Sequence, residues 1–284
     1  MLTDAVRSEG YRFLRNRTAV IWSVFFVPVF GLVIGVLGQY FLKQKMGEVT
    51  EARLPPGLLQ GGPMDMGQAL VETAAGLANP MLLLFVLIGV STLFAGDYRW
   101  ETWRLTSARN TRTNLVLGKV GVAMLLILAA MVSFLVSGVF GDLAKAAIFD
   151  RPLTFSMDAG DVGQVFGLAG LAWVRVVQFA MLSLLAAVVT RSLLAALFIP
   201  LVVTVAQFFL MQVMPVLGWE PGDWTAQLTV PGLAYDTLKA MVQEGAAGAS
   251  GDAGVKPALS LALWLLLPLT AAIVWFQRQD LSRE

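Results

Sequence analysis

Residues 163–189 read GQVFGLAGLAWVRVVQFAMLSLLAAVV, residues 190–192 read TRS, and residues 193–217 read LLAALFIPLVVTVAQFFLMQVMPVL. Each apolar run exceeds the roughly 20 residues that carry a helix across a hydrocarbon core about 30 Å thick. Thr190, Arg191 and Ser192 leave room only for a tight turn. The stretch therefore reads as a membrane-spanning helical hairpin. Working outward, four more such runs lie at 19–42, 78–95, 115–140 and 258–277, and 78–95 is near the lower length limit. The expectation is an all-α integral membrane protein, residues 1–284 forming one transmembrane domain of six helices. Transmembrane strands would read as runs of about ten alternating residues, and none is found.

Composition points the same way. The chain is 57% hydrophobic and 14% charged, with a mean hydropathy of +0.73. Soluble domains carry about 25% charged residues, so lipid is the implied solvent. A formal net charge of +1 gives no sign of a nucleic-acid partner. The absence of Cys and His excludes disulfides, thiolate and imidazole metal ligands, and Cys or His nucleophiles. The first apolar run follows Arg12, Arg15 and Arg17 and outlasts the roughly 7–15-residue core of a cleavable signal, so it reads as a retained span.

Orientation follows from basic residues. With the N-terminus inside, Arg7, Arg12, Arg15, Arg17, Arg99, Arg104, Arg109, Arg112, Lys119, Arg191, Arg278 and Arg283 are inside: twelve, against seven in the outer loops. Both ends are therefore expected on the cytoplasmic side of a bacterial-type inner or plasma membrane. In the first 17 residues, Leu2, Val6 and Phe13 share one side of a helical wheel, with Asp4, Arg7, Tyr11 and Arg15 opposite. That pattern suits an amphipathic interfacial helix on the inner leaflet; a solvated basic segment that only sets topology is the other reading. Pro55-Pro56-Gly57 and Gly61-Gly62-Pro63 mark an irregular first outer connection, and Gly245–Gly254 reads as a flexible stretch.

Much chemistry is missing. The six runs hold no Asp, Glu or His, the groups that serve as proton relays in membranes. This argues against a proton-driven carrier and against an intramembrane protease. Gly118-Lys119 lacks the preceding Gly and following Ser or Thr of a phosphate loop. If ATP drives this chain, another subunit binds it.

One segment between the second and third spans concentrates charge and aromatics: Gly96-Asp97-Tyr98-Arg99-Trp100-Glu101-Thr102-Trp103-Arg104-Leu105, followed by Arg109, Arg112 and Lys119. In a helix, Asp97 and Glu101 would be neighbours, as would Trp100 and Arg104. Arg and large aromatics are enriched at protein interfaces; an interfacial Trp belt with positive-inside charge is the alternative reading.

With this segment the sequence resembles the permease subunits of the type-two ABC transporter family. Asp97, Tyr98, Arg99, Thr102, Arg104, Arg112 and Lys119 fall where that family places an acidic-aromatic-basic segment and its sequel. Glu101 stands where Gly is usual, and Asn110 near the expected Pro. Arg191-Ser192, Val230-Pro231 and the ending Trp275-Phe276-Gln277-Arg278-Gln279-Asp280 extend the likeness along the whole chain. The resemblance implies an exporter's transport subunit, not an enzyme. A second permease chain would pair with it, as homodimer or related heterodimer, and two ABC ATPase subunits carrying ATP and Mg would dock beneath. Asp97, Tyr98, Arg99, Glu101, Thr102 and Arg104 would form the coupling helix that meets the ATPase. A stand-alone carrier or channel, and an ATPase-coupled assembly role without flux, are the competing functions.

Arg175 is the one charge read within a span. It has two readings: with Gln178 it forms a polar feature of a transport path, or it lies near the outer surface and snorkels. Gly31-x-x-x-Gly35 and Gly163-x-x-x-Gly167 mark places where helices could approach closely. Gln39, Gln178, Gln207 and Gln212 either line a path or bond between helices. The stripe Trp22, Phe25, Phe26 and Phe30 reads as packing or lipid-facing surface.

Overall fold

The computed structural model describes residues 2–45, 62–99, 110–244 and 254–279. Helix α1 spans Leu2–Arg15. Helix α2 covers Arg17–Lys45, with a π-helical turn at Ile21–Phe25. Then follow α3 (Met66–Ala75), α4 (Pro80–Arg99), α5 (Arg112–Ile148), α6 (Ala159–Thr190), α7 (Leu193–Val213), α8 (Trp224–Thr229), α9 (Pro231–Glu244) and α10 (Val255–Arg278). Six of them, α2, α4, α5, α6, α7 and α10, are long and apolar enough to cross a membrane. These are the six expected spans. An even number of crossings puts both ends on one face.

Local chemistry explains the boundaries. Asp158 and Asp161 form a reciprocal capping box that starts α6. Arg191 turns into the left-handed region at φ +54°, and the Ser192 hydroxyl accepts the Ala195 N–H at 3.4 Å to start α7. The Thr190–Ser192 hairpin is thus built as its length demands. Pro80 opens α4, where its missing N–H costs nothing, and the Asn79 side chain accepts the Leu82 N–H at 2.9 Å.

Packing sorts the spans into centre and perimeter. The most apolar stretches of α4 and α6 are 67% buried, those of α2 and α7 only 17%. Contact between α2 and α4 is close: a Cβ on Gly89 would lie 2.7 Å from the Ser23 hydroxyl, which itself donates to the Ala19 carbonyl at 2.6 Å. Trp22 and Phe26 stack beside Phe85 of α4 at 5.9 and 4.5 Å, while Phe25 and Phe30 face outward. The aromatic stripe is therefore half packing surface and half perimeter. Gly167 meets Val242, whereas Cβ positions on Gly31, Gly35 and Gly163 would meet nothing within 4 Å among the described residues.

Several boundaries differ from the sequence reading. Helix α7 stops at Val213 rather than 217, because turns from Met214 end on Gly218 at φ +69°. The connection between the fifth and sixth spans contains α8 and α9, and the first outer connection contains α3; these short helices lack the long apolar run that a hydropathy reading detects. Residues 55–57, 61 and 245–253 lie outside the described residues. Helix α5 has 37 residues, about 55 Å at 1.5 Å each, so it outruns the hydrocarbon. At its outer end Lys43 donates to Ile148 O and pairs with Asp150 at 2.7 Å. The Leu2, Val6 and Phe13 side of α1 is also reapportioned: its buried residues are Ala5, Glu9 and Phe13, pressed on α5, and Leu2 is exposed.

Candidate functional site

The site is built where α1, α4 and α5 meet at the face that carries both chain ends. Ala5, Glu9 and Phe13 recur every fourth residue, so one stripe of α1 lies on α5. Gly118 makes this approach feasible, since a Cβ there would come within 2.9 Å of the Ala5 Cβ. In Gly118-Lys119, then, the glycine serves helix contact, and the lysine follows directly into the interior.

Lys119 was counted with the loop charges in the sequence reading, but it lies two turns into α5 with its side chain 3% exposed. Its ammonium reaches Glu9 Oε2 at 3.0 Å, Asp97 Oδ2 at 2.7 Å and the Leu93 carbonyl at 2.9 Å. Three donors meet three acceptors. Arg12 completes the cluster, donating to Glu9 Oε1 at 2.9 Å and to Asp97 Oδ1. Burial works against the Arg12 charge, yet Asp97 and Glu9 together raise its pKa above the ordinary value. Two carboxylates and two cations thus neutralise one another around a 220 Å³ cavity. Such a cluster withstands burial because each charge is paired and hydrogen-bonded.

The next residue roots the segment in a second direction. The Tyr98 hydroxyl donates to Gln279 Oε1 at 3.1 Å, and Gln279 Nε2 donates to the Val188 carbonyl at 2.5 Å. Tyr98 is thereby tied to the ends of α10 and α6. On the far side of residues 100–109, Arg112 donates to the carbonyls of Phe276, Gln277 and Gln279 at 3.3, 2.9 and 2.6 Å. Its cation sits at the C-terminus of α10, where the helix dipole is negative. Gln277 adds a bond to Thr113 at 2.9 Å.

The predicted coupling residues divide accordingly. Asp97 is 1% exposed and turned into the ion cluster; Tyr98 is buried on Gln279. Arg99 closes α4. Glu101, Thr102 and Arg104 lie outside the described residues. The sequence reading missed Glu9 and Arg12 as partners of Asp97. An acid at position 9, on the same side of the helical wheel as Leu2, Val6 and Phe13, was the available signal.

Arg175 stands about 22 Å from the inner end of α6 at 1.5 Å per residue. Its guanidinium donates to Gln207 Oε1 at 2.9 Å and Gln178 Oε1 at 3.3 Å, and lies 4.5 Å from the Phe179 ring centre. Gln178 in turn donates to the Leu261 carbonyl at 2.8 Å. Arg175, Gln178 and Gln207 thus link α6, α7 and α10. Gly232, the second residue of α9, brings backbone close to Arg175: a Cβ there would lie 3.3 Å from its guanidinium. Asp236 of α9 acts on it through charge alone; burial raises the Asp236 pKa, and Arg175 and Lys239 oppose that rise. Gln39 and Gln207 each keep one buried amide atom without a hydrogen-bond partner among the described residues. Among the described residues no cluster of His, Cys, Asp and Glu suits a metal.

Comparison with known proteins adds one match. The family described as ABC-2 family transporter protein matches residues 6–281, nearly the whole chain. No curated protein matches it.

Proposed function

We propose, from the premise that the chain belongs to the ABC-2 transporter family, that it is the membrane-spanning permease subunit of an ATP-driven exporter. Families of this kind supply the membrane transport component, and hydrolysis belongs to an ABC ATPase. Two ATPase copies, each holding ATP and Mg, would act on a pair of permease chains, alike or related. The segment from Asp97 through Tyr98, Arg99, Glu101, Thr102 and Arg104 is the coupling helix, on the cytoplasmic face.

One observation carries this reading: both ends of residues 100–109 are fastened to the helical body. Asp97 joins the segment to α1 and α5, Tyr98 joins it to α6 and α10, and Arg112 holds its far end on α10. A push that reaches either end of this segment meets groups already bonded to the helices. It must move helices. Arg175, Gln178 and Gln207 are the polar groups such movement would rearrange between α6, α7 and α10, and they are our candidates for the transport path.

The test is reconstitution of the chain with its ATPase in vesicles. Arg104→Glu and Glu101→Arg should leave insertion and assembly intact, preserve ATP hydrolysis, and abolish substrate movement. Wild-type transport by both variants would refute the coupling role, and energised transport by the chain alone would refute the ATPase dependence.

A further inference from the structure

Helix α1 carries a second, apolar contact surface. Beside the ion cluster, α1, the start of α2 and the middle of α5 enclose a cleft of 350 Å³, and every residue lining it is aliphatic, aromatic or glycine. Gly10 and Leu14 come from α1, Val24 and Phe25 from the π-helical turn, and Leu125 and Ala129 from α5. Three of these walls are themselves exposed: Leu14 by 68%, Phe25 by 48% and Leu125 by 60%. The cleft therefore opens sideways, on the perimeter of the helical body. Gly10 keeps it hollow, because a Cβ there would meet only Val122 at 3.8 Å.

Between Leu14 and Val20, which both line the cleft, the chain carries Arg15 and Arg17. The Arg15 guanidinium is occupied by Tyr11, bonded to its hydroxyl at 2.5 Å and 5.0 Å from its ring centre. Arg17 is exposed and makes no ion pair among the described residues. An apolar slot open to the bilayer, with a free cation at its rim where the chain leaves the membrane, has the two-part chemistry of a phospholipid.

We propose that this cleft seats one acyl chain of an acidic phospholipid, whose phosphate lies against Arg17. Chain packing rather than hydrophobic transfer holds the tail, since the surrounding lipid is equally apolar. The headgroup charge supplies the selectivity. A second copy of the chain fits less well, because a twofold contact centred here would bring Arg15 and Arg17 towards their own equivalents. The occupant fills the gap between α1 and α5 beside the Gly118 contact, so the lipid braces the helix that carries Glu9 and Arg12.

The experiment uses the full chain in phosphatidylcholine vesicles doped with phospholipid probes bearing a photoreactive group on the acyl chain. One probe has a phosphatidylglycerol headgroup, the other phosphatidylcholine. The acidic probe should label peptides from residues 10–25 and 122–129 about fivefold more than the neutral one, the factor that one Arg near an acidic surface supplies. Arg17→Gln should erase that preference while retaining labelling. Gly10→Phe, filling the cleft from α1, and Ala129→Trp, filling it from α5, should each remove most labelling at both peptides without changing the elution of the protein. Equal labelling in both filled variants overturns the proposal, as does an acidic preference that survives Arg17→Gln. Cross-links between two protein chains at the cleft, in place of lipid adducts, assign it to a second copy and overturn the proposal equally.

Discussion

Two buried cations in this protein are housed in opposite ways. Lys119 has two carboxylates and a carbonyl around its ammonium, with Arg12 closing the circuit. Arg175 has two neutral amides and an aromatic face. The difference follows from which elements reach each cation. An amphipathic helix can deliver acids such as Glu9 to the interior while its other side remains wet. Around Arg175, among the described residues, no packed element brings a carboxylate within ion-pair distance and Asp236 acts through charge alone, so amide oxygens and a ring quadrupole take the acceptor role. The first arrangement is a rigid fastening, since each charge holds two others. The second leaves the cation weakly claimed and open to rearrangement. A fastening suits the root of a coupling segment, and a loosely held cation suits a path.

The strongest way to break this comparison is to remove the shared cation. Lys119→Met leaves Glu9 and Asp97 buried against each other and should cost about 3–5 kcal/mol, read as a lowered unfolding midpoint in detergent. Combining it with Asp97→Asn should restore most of the loss, because Glu9 and Arg12 then remain as one paired carboxylate and cation. Failure of that rescue would mean the cluster acts through packing instead. Gly118→Leu should come next, at about 1–3 kcal/mol for overpacking, and should loosen α1 from α5, as detected by faster proteolysis at the N-terminus. Arg175→Met should cost only about 1 kcal/mol, the net worth of typical hydrogen bonds, yet depress transport far more than stability. An unfolding shift matching that of Lys119→Met would erase the distinction between fastening and path. The smallest effect is expected at the outer face, where Asp150 is largely exposed and pairs with Lys43. Asp150→Asn should change stability by less than about 1 kcal/mol, and Asn tolerates the left-handed backbone found there.

The same contrast marks how far the sequence could be read. The six spans, the hairpin at Thr190–Ser192 and the amphipathic start were all legible in the chain itself. Helices α3, α8 and α9 were not legible, for they are held by contacts with the spans rather than by long apolar runs of their own. Lys119 was misplaced because a single charge at the edge of an apolar run looks the same whether it ends the span or is paired inside it. Asp97 presented the same ambiguity, and only its partners show which way it points.

Sequence alone determined that six stretches are apolar enough to cross a membrane and about where each lies, because the free energy of moving a helix into lipid is a sum over contiguous residues. Tertiary structure alone decided which charges meet: Arg12 finds Asp97 across 85 positions, and Lys119 finds Glu9 across 110. Pairing energies depend on distance and on the exclusion of water, and neither exists until the helices have packed.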